Sequence, residues 1–345
     1  MCLRLLPWYS CYYWSYVTAS NTLETPINDI LRYAAALPYT GRYYPYGFPV
    51  EIAADSREVL DAANESWGPH QPRFSRPPIR IHVMTSEGGG ELPPEPEFRA
   101  QRHLVTIISD QHNFTICDRL QAFGYCWVTR ATLADPVFFR WHFLDAAIHI
   151  LLEQTCCTAV HAACVEWEGS GVLLIGESGM GKSTLAYACA RRGWTFVTDD
   201  GSTLLWHRRD RAVAGEPHRF HFREEAAEVF PELRGLTVGR ELGHKPTIEV
   251  RTAGLPIRTA PECRVERIVF LDRRRGRSAR MAPLGKEEAR ERLMGDTTLW
   301  EPEVQARRME VIESVLEAPS FELRYGSHED AVPLLERLVR EGSSE

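Results

Sequence analysis

Eight consecutive residues, Gly176, Glu177, Ser178, Gly179, Met180, Gly181, Lys182 and Ser183, have the types and spacing needed to enclose phosphate. They match G-x-x-x-x-G-K-[ST]. In that pattern the glycines let successive backbone N–H groups turn inward onto phosphate oxygens, the lysine adds a point charge for the β- and γ-phosphates, and the terminal hydroxyl can ligate Mg²⁺. The context supplies the weight that a bare pattern lacks. Gly171-Val-Leu-Leu-Ile175 before the loop is an apolar run of strand length, and Thr184 to Arg192 after it reads as a helix closed by Gly193. Strand, glycine-rich loop and helix N-terminus in that order form a nucleotide-phosphate cradle, with Thr184 at its downstream end.

Carboxylates and a histidine are expected beside this loop. Trp194-Thr-Phe-Val-Thr198 is a short β-rich run ending in Asp199-Asp200, which sets two carboxylates at a strand tip where an Mg²⁺ ligand belongs. Successive strand residues face opposite ways, so the pair is expected to divide its work, one aspartate toward metal and the other toward the proton of a substrate hydroxyl. Upstream, Ala162 to Trp167 and Gly171 to Ile175 flank Glu168-Gly169-Ser170, the pattern of a β-hairpin. With the turn centred near Gly169, antiparallel pairing carries His161 to about the level of Ser178, over the phosphates.

Taken together these residues resemble a known family. His161-Ala-Ala-Cys-Val165, the short hairpin, the loop from Gly176 to Ser183, the helix ending Arg191-Arg-Gly193 and the pair Asp199-Asp200 look like the catalytic domain of HPr kinase/phosphorylase. The resemblance implies catalytic roles for His161, Lys182 and Asp199 or Asp200, with ATP and Mg²⁺ as cofactors. Ile248-Glu-Val-Arg-Thr-Ala-Gly-Leu255 is similar to the family's LEIRGLGI segment, whose glutamate binds metal, which implies Glu249 as a ligand alongside Ser183 and Asp200 and places Arg251 nearby. The implied fold is an α/β P-loop kinase domain of the HPr kinase and phosphoenolpyruvate carboxykinase-like type, preceded by a smaller α+β domain. The implied reaction is transfer of the γ-phosphoryl group to a serine hydroxyl on a peptide or protein. Thr184 stands where the family usually has glutamate, its Pro-Gly-Arg segment is missing after the last strand, and residues 201–246 read as an insert foreign to it. These departures direct the expected acceptor away from HPr. Two rival readings are a small-molecule kinase on the same scaffold and a nucleotide-binding sensor without phosphotransfer.

The rest of the chain supports such a site without adding chemistry. With 345 residues there is enough chain for two cores, and 44% hydrophobic with 25% charged residues is ordinary globular usage. A formal charge of −7 gives no general attraction to nucleic acid or to anionic membrane. Nine cysteines form no C-x-x-C pair, which favours reduced thiols and a cytoplasmic location over zinc or disulfides. The expected organisation is a poorly ordered leader at 1–27, whose aromatic-rich stretch Met1–Val17 is too short and too interrupted by Arg4 and Pro7 for a membrane span, then an α+β docking or regulatory domain at 28–155, then the catalytic domain at 156–345. The second unit opens with a helix over Asn28–Leu37, and an apolar helix over Phe138–Gln154 is expected to bridge it to the third. A homo-oligomer is compatible with this plan. Glu216-Pro-His-Arg-Phe-His-Phe-Arg223 reads equally as a phosphate contact or as a strand with a polar face. Lys245 and Arg258 are further candidates for charge neutralisation, and the basic run from Arg273 to Arg277 reads as a solvated turn.

Overall fold

Alternation writes the first sheet. In Val50-Glu-Ile-Ala-Ala54 and Ile79-Arg-Ile-His-Val83 every second side chain is buried, so Val50, Ile52, Ala54, Ile79, Ile81 and Val83 form one apolar face. The computed structural model describes residues 36–88, 90–208, 210–236, 247–274, 276, 278–294 and 301–341. The leader at 1–27, nearly all of the helix expected over Asn28–Leu37, and Lys245 lie outside the described residues.

Seven strands build that sheet: β1 (Tyr39–Tyr43), β2 (Val50–Ala54), β3 (Ile79–Ser86), β4 (Glu97–Gln101), β5 (Leu104–Ile108), β6 (Phe114–Asp118) and β7 (Phe123–Thr129), in the order β1-β2-β3-β7-β6-β5-β4. Pairing is parallel from β2 to β3 and from β3 to β7, and antiparallel elsewhere. Helix α1 (Arg57–Trp67) makes the crossover that the parallel β2–β3 pair requires. The apolar run after β7 is helical, in consecutive pieces: α2 (Arg130–Ala134), α3 (Pro136–Phe139), one π turn at Arg140–Leu144, and α4 (Asp145–Thr155). It is packed into the core of the first sheet, where Phe139, Phe143, Leu144, Ile148 and Leu151 are fully buried. Asp145 pins it to α1, accepting hydrogen bonds of 2.8 Å from both Ser66 Oγ and Trp67 Nε1.

The second sheet follows directly. Its elements are β8 (Cys157–Trp167), β9 (Ser170–Ile175), α5 (Lys182–Arg191), β10 (Thr195–Thr198), β11 (Gly201–Leu205), β12 (Ala212–Ala214), β13 (Arg219–Arg223), α6 (Ala226–Val229), β14 (Thr247–Arg251), β15 (Arg258–Thr259), β16 (Glu262–Arg273), β17 (Arg280–Leu284), α7 (Lys286–Met294), α8 (Pro302–Val315), β18 (Ser320–Tyr325) and α9 (His328–Glu341). The strand order is β15-β10-β8-β11-β12-β16-β18-β17, and β9 pairs with both β8 and β16, so that β8, β11, β12, β16 and β9 close into a ring. β13 and β14 form a separate two-stranded ribbon. Strand β8 is covered on both sides: Val160, Ala162 and Cys164 enter the apolar cluster beneath α7 and α8, while Ala163 and Val165 enter the one beneath α5 and α9. The first sheet's apolar cluster also takes in Cys156, Cys157, Leu205, Ala212 and Ala214, and the described residues from Leu37 onward fall in one compact unit. Among the described residues the seven cysteines are free and buried, and no helix is long and apolar enough to cross a membrane.

Ring closure depends on Gly171. A Cβ there would lie 2.3 Å from the Arg264 carbonyl oxygen, a backbone atom that cannot swing aside. Gly171→Ala is therefore expected to lower unfolding free energy by about 1–3 kcal/mol, the usual range for overpacking, in a urea titration of the purified protein. An unchanged midpoint would show that the ring is looser than this contact requires.

Candidate functional site

The loop between β9 and α5 has the backbone its glycines predict. Gly179 and Gly181 both lie in the left-handed region, at φ 92° and 89°, where a side chain is strained. At Gly181 space is also short, because a Cβ would come within 2.7 Å of the Tyr325 hydroxyl. That hydroxyl donates a 2.6 Å hydrogen bond to the Met180 carbonyl and ties the loop to the end of β18. Helix α5 begins at Lys182, directly after the loop, so its unpaired N–H groups open toward the same space.

Two strands deliver the charged groups. In the β8–β9 hairpin Ala162 lies opposite Ile175 and Trp167 opposite Ser170, which puts His161 level with Gly176, two residues before the expected Ser178. The turn contains only Glu168 and Gly169, both with positive φ, so its centre falls between them and not on Gly169. His161 is also paired with Gly201 on β11, and that pairing brings Asp200 alongside. Lys182 Nζ donates to the Gly176 carbonyl at 2.8 Å and lies 2.7 Å from His161 Nε2, while His161 Nδ1 lies 3.1 Å from Asp200 Oδ1. With the ammonium donating to Nε2, the ring hydrogen belongs on Nδ1, facing Asp200. Lysine, histidine and aspartate thus form one continuous line. Burial pushes the Lys182 amine down despite the nearby carboxylates. Burial pushes the Asp200 carboxyl up, but the hydrogen bond from His161, with the positive charges of Lys182 and His221, outweighs it and holds Asp200 below the usual carboxylate range.

Asp199 has a different setting. It is 3% exposed, and its Oδ2 accepts a 2.7 Å hydrogen bond from the backbone N–H of His221 on β13. That strand alternates strictly. Phe220 and Phe222 point into the core, with Phe220 stacked on Phe196 at 3.7 Å, so Arg219, His221 and Arg223 share the opposite face. Arg223 Nη2 donates a 2.7 Å hydrogen bond to Ser178 Oγ in the loop. Arg219 is ion-paired with Glu216 at 2.9 Å and Glu249 at 3.3 Å and donates to the Glu65 carbonyl of α1. Within the stretch Glu216–Arg223, residues Arg219–Arg223 therefore form a strand with a polar face that meets the loop, while Glu216–His218 lie just before it. Alternation across five residues was the available signal; the direction in which the face would point was not.

Burial alone would lower the His221 pKa, yet it is pushed up to about 9. Asp199 Oδ1 stands 3.6 Å from His221 Nδ1, ion-pair distance, and Glu216 and Glu249 add negative charge around it. Because the folded pKa is above the ordinary 6.5, the stabilisation from this charge is complete below about 6.5 and is lost as pH rises through about 9. Thermal unfolding followed across that interval is expected to show a falling midpoint that His221→Gln flattens. An identical pH slope in the variant would remove His221 from the account.

His161, Ser178, Gly179, Gly181, Lys182, Ser183, Thr184, Asp200, His221, Arg223 and Arg273 all line one cavity of about 540 Å³. Asp199 and Glu249 are not on that wall; Glu249 lies across the β13–β14 ribbon from His221. Arg273, at the end of β16, faces the loop, so the first residue of the basic run read as a solvated turn is in fact part of the wall. Among the described residues no group of three or more His, Cys, Asp or Glu is arranged to hold a metal ion. Ser183 and Asp200 offer hydroxyl and carboxylate oxygens on a shared wall, the hard donors that Mg²⁺ takes together with phosphate oxygens and water.

Residues 153–238 match the family model of the HPr Serine kinase C-terminal domain. The HPr kinase/phosphorylase of Bacillus cytotoxicus is 37% identical over 81 residues, and that of Bacillus pumilus 38% identical over 81 residues, in each case 24% of this chain and 24% of the relative. The matched stretch therefore spans about a quarter of the length of these relatives. The solved HPr(Ser) kinase/phosphatase of Coxiella burnetii aligns over 54% of this chain and 96% of that one at 16% identity, with a TM-score of 0.29, a likeness too weak to argue from. These matches support an HPr kinase-like family, and they correct one expectation. The segment 201–246, read as a foreign insert, lies within the family match as far as residue 238, which takes in β11, β12 and β13.

Proposed function

We propose that this chain, HPr kinase-like over residues 153–238, is an ATP- and Mg²⁺-dependent kinase that transfers the γ-phosphoryl group to a serine hydroxyl on a peptide or protein other than HPr. The observation that carries the reading is the hydrogen-bonded line Lys182–His161–Asp200 on the wall of the cavity that the glycine-rich loop opens into. Backbone N–H groups of the loop and α5 bind the phosphates, Lys182 reaches the transferring group, and Arg223, held by Ser178, adds a second positive charge on the same side. Ser183, together with phosphate oxygens and water, would hold Mg²⁺, which would neutralise phosphate charge when bound.

Asp200, oriented by His161 and kept ionised by its neighbours, accepts the hydroxyl proton as the serine oxygen bonds to phosphorus and ADP departs with its bridging oxygen. Asp199 acts at one remove, by fixing β13 and with it His221 and Arg223. Purified protein with ATP and Mg²⁺ is expected to phosphorylate a serine-containing peptide, with little transfer to HPr and little phosphorolysis of phosphoserine-HPr. Mass spectrometry of the products, with His161→Ala as control, reads this out. Efficient HPr phosphorylation overturns the acceptor and spares the kinase, specific transfer to a sugar favours a small-molecule enzyme, and nucleotide binding without any transfer favours a sensor.

A further inference from the structure

A second cavity, of about 630 Å³, takes in Trp206 and His207 just past the end of β11, the strand whose other end follows Asp200. Its walls come from the segment before β3, the end of α4, the turn after β11, and α8. They bring together aromatic surface (Phe48, Phe74, Trp206) and guanidinium groups (Arg73, Arg76, Arg307), and no carboxylate is among its lining residues. The three arginines are not equivalent. Arg73 is committed to Glu262 and to the Pro261 carbonyl. Arg307 is paired with Glu310 at 3.1 Å, but both side chains are about half exposed, and exposed pairs of that kind contribute little and exchange readily. Arg76 has no carboxylate at ion-pair distance among the described residues, and its guanidinium lies 5.9 Å from the centre of the Phe48 ring. It therefore leaves an uncompensated positive charge in a half-buried, aromatic-walled space.

We infer that this cavity binds a small anion carrying an aromatic ring, its phosphate or carboxylate taken by Arg76 with Arg307 and its ring laid against Trp206. The Trp206 indole is fixed for that purpose by a 2.8 Å hydrogen bond from Nε1 to Thr158 Oγ1, and His207 fills the space beside Phe74 with ring centres 4.8 Å apart. Burial and the charges of Arg208 and Arg76 push His207 down, so at neutral pH the cationic side of the site is supplied by arginine and not by histidine. Planar guanidinium groups suit both halves of such a ligand, because they bind oxyanions in bidentate fashion and stack on rings.

Phenyl phosphate is the probe, measured by calorimetry on the full chain against inorganic phosphate and benzyl alcohol. Phenyl phosphate is expected to bind at least tenfold more tightly than either half alone. Arg76→Gln, which removes one charge-assisted contact, is expected to weaken it by about tenfold, and Trp206→Leu by a similar factor. Lys182→Ala, which disables the phosphate loop, leaves this affinity unchanged. Equal binding of inorganic phosphate, an affinity indifferent to Arg76→Gln and Trp206→Leu, or an affinity lost with Lys182→Ala would each overturn the assignment. So would the absence of any binding by phenyl phosphate. Circular dichroism of the two cavity variants separates lost binding from lost folding. If either variant is unfolded, Arg76→Lys, which keeps the charge but loses the planar fork, is expected to bind phenyl phosphate several-fold more weakly.

Discussion

Replacing Lys182 by alanine is expected to lower the proposed phosphoryl transfer by about 100- to 1,000-fold, the loss typical of removing one preorganised electrostatic contact to the developing charge. The lysine is 5% exposed and donates to the Gly176 carbonyl and to His161 Nε2, so in the folded chain it is held at the mouth of the loop before any phosphate arrives. Stability is expected to change little, because the variant gives up two hydrogen bonds and also the burial of an amine whose pKa burial already pushes down. Turnover and ATP affinity are to be measured together with the unfolding midpoint. Wild-type affinity and turnover in a folded Lys182→Ala protein would end the phosphate-loop assignment.

Asp200→Asn and Asp199→Asn are expected to fail in different ways. Asparagine at 200 keeps the shape and removes the proton acceptor, so kcat is expected to fall by about 100-fold or more, within the range for loss of a positioned general base. Asparagine at 199 leaves the cavity wall intact but takes the charge from beside His221 and weakens the contact to its backbone N–H. Its signature is a lower unfolding midpoint and a lost pH dependence between about 6.5 and 9, with a smaller effect on kcat. Equal, mild losses from both substitutions would mean that the pair is no more than the end of a strand.

These contrasts follow from what local sequence could and could not reveal. The strand, loop and helix around Gly176–Ser183 were legible because their signals lie within about twenty residues, as was α7 at Lys286–Met294. The approach of His161 was legible from hairpin periodicity, with a two-residue error traceable to the length of the Glu168-Gly169 turn. The neighbourhood of His221 and Arg223 was not, because it depends on Phe220 and Phe222 packing against Phe196 and Tyr187, contacts that no local pattern encodes. Arg273 and Tyr325 were hidden for the same reason: they reach the loop through parallel pairing of β16 with β9 and β18. In the first half, alternation marks the strands, but the order β1-β2-β3-β7-β6-β5-β4 is a matter of non-local pairing.

The pairing of β9 on both edges also governs when the site can exist. On one edge β9 has β8, its hairpin partner, available as soon as the turn has been synthesised. On the other it needs β16, which in turn lies against β18, and the Met180 carbonyl waits for the Tyr325 hydroxyl. A nascent chain emerging from the ribosome carries the complete phosphate-binding motif long before it carries the strands that shape it. Until β16 has been made, the second edge of β9 is open to any partner strand, and until Tyr325 has been made the Met180 carbonyl lacks its donor. An excised 153–238 fragment contains every residue of the loop but lacks β16 and β18, and it is expected to bind ATP far more weakly than the whole chain when the two are compared by calorimetry.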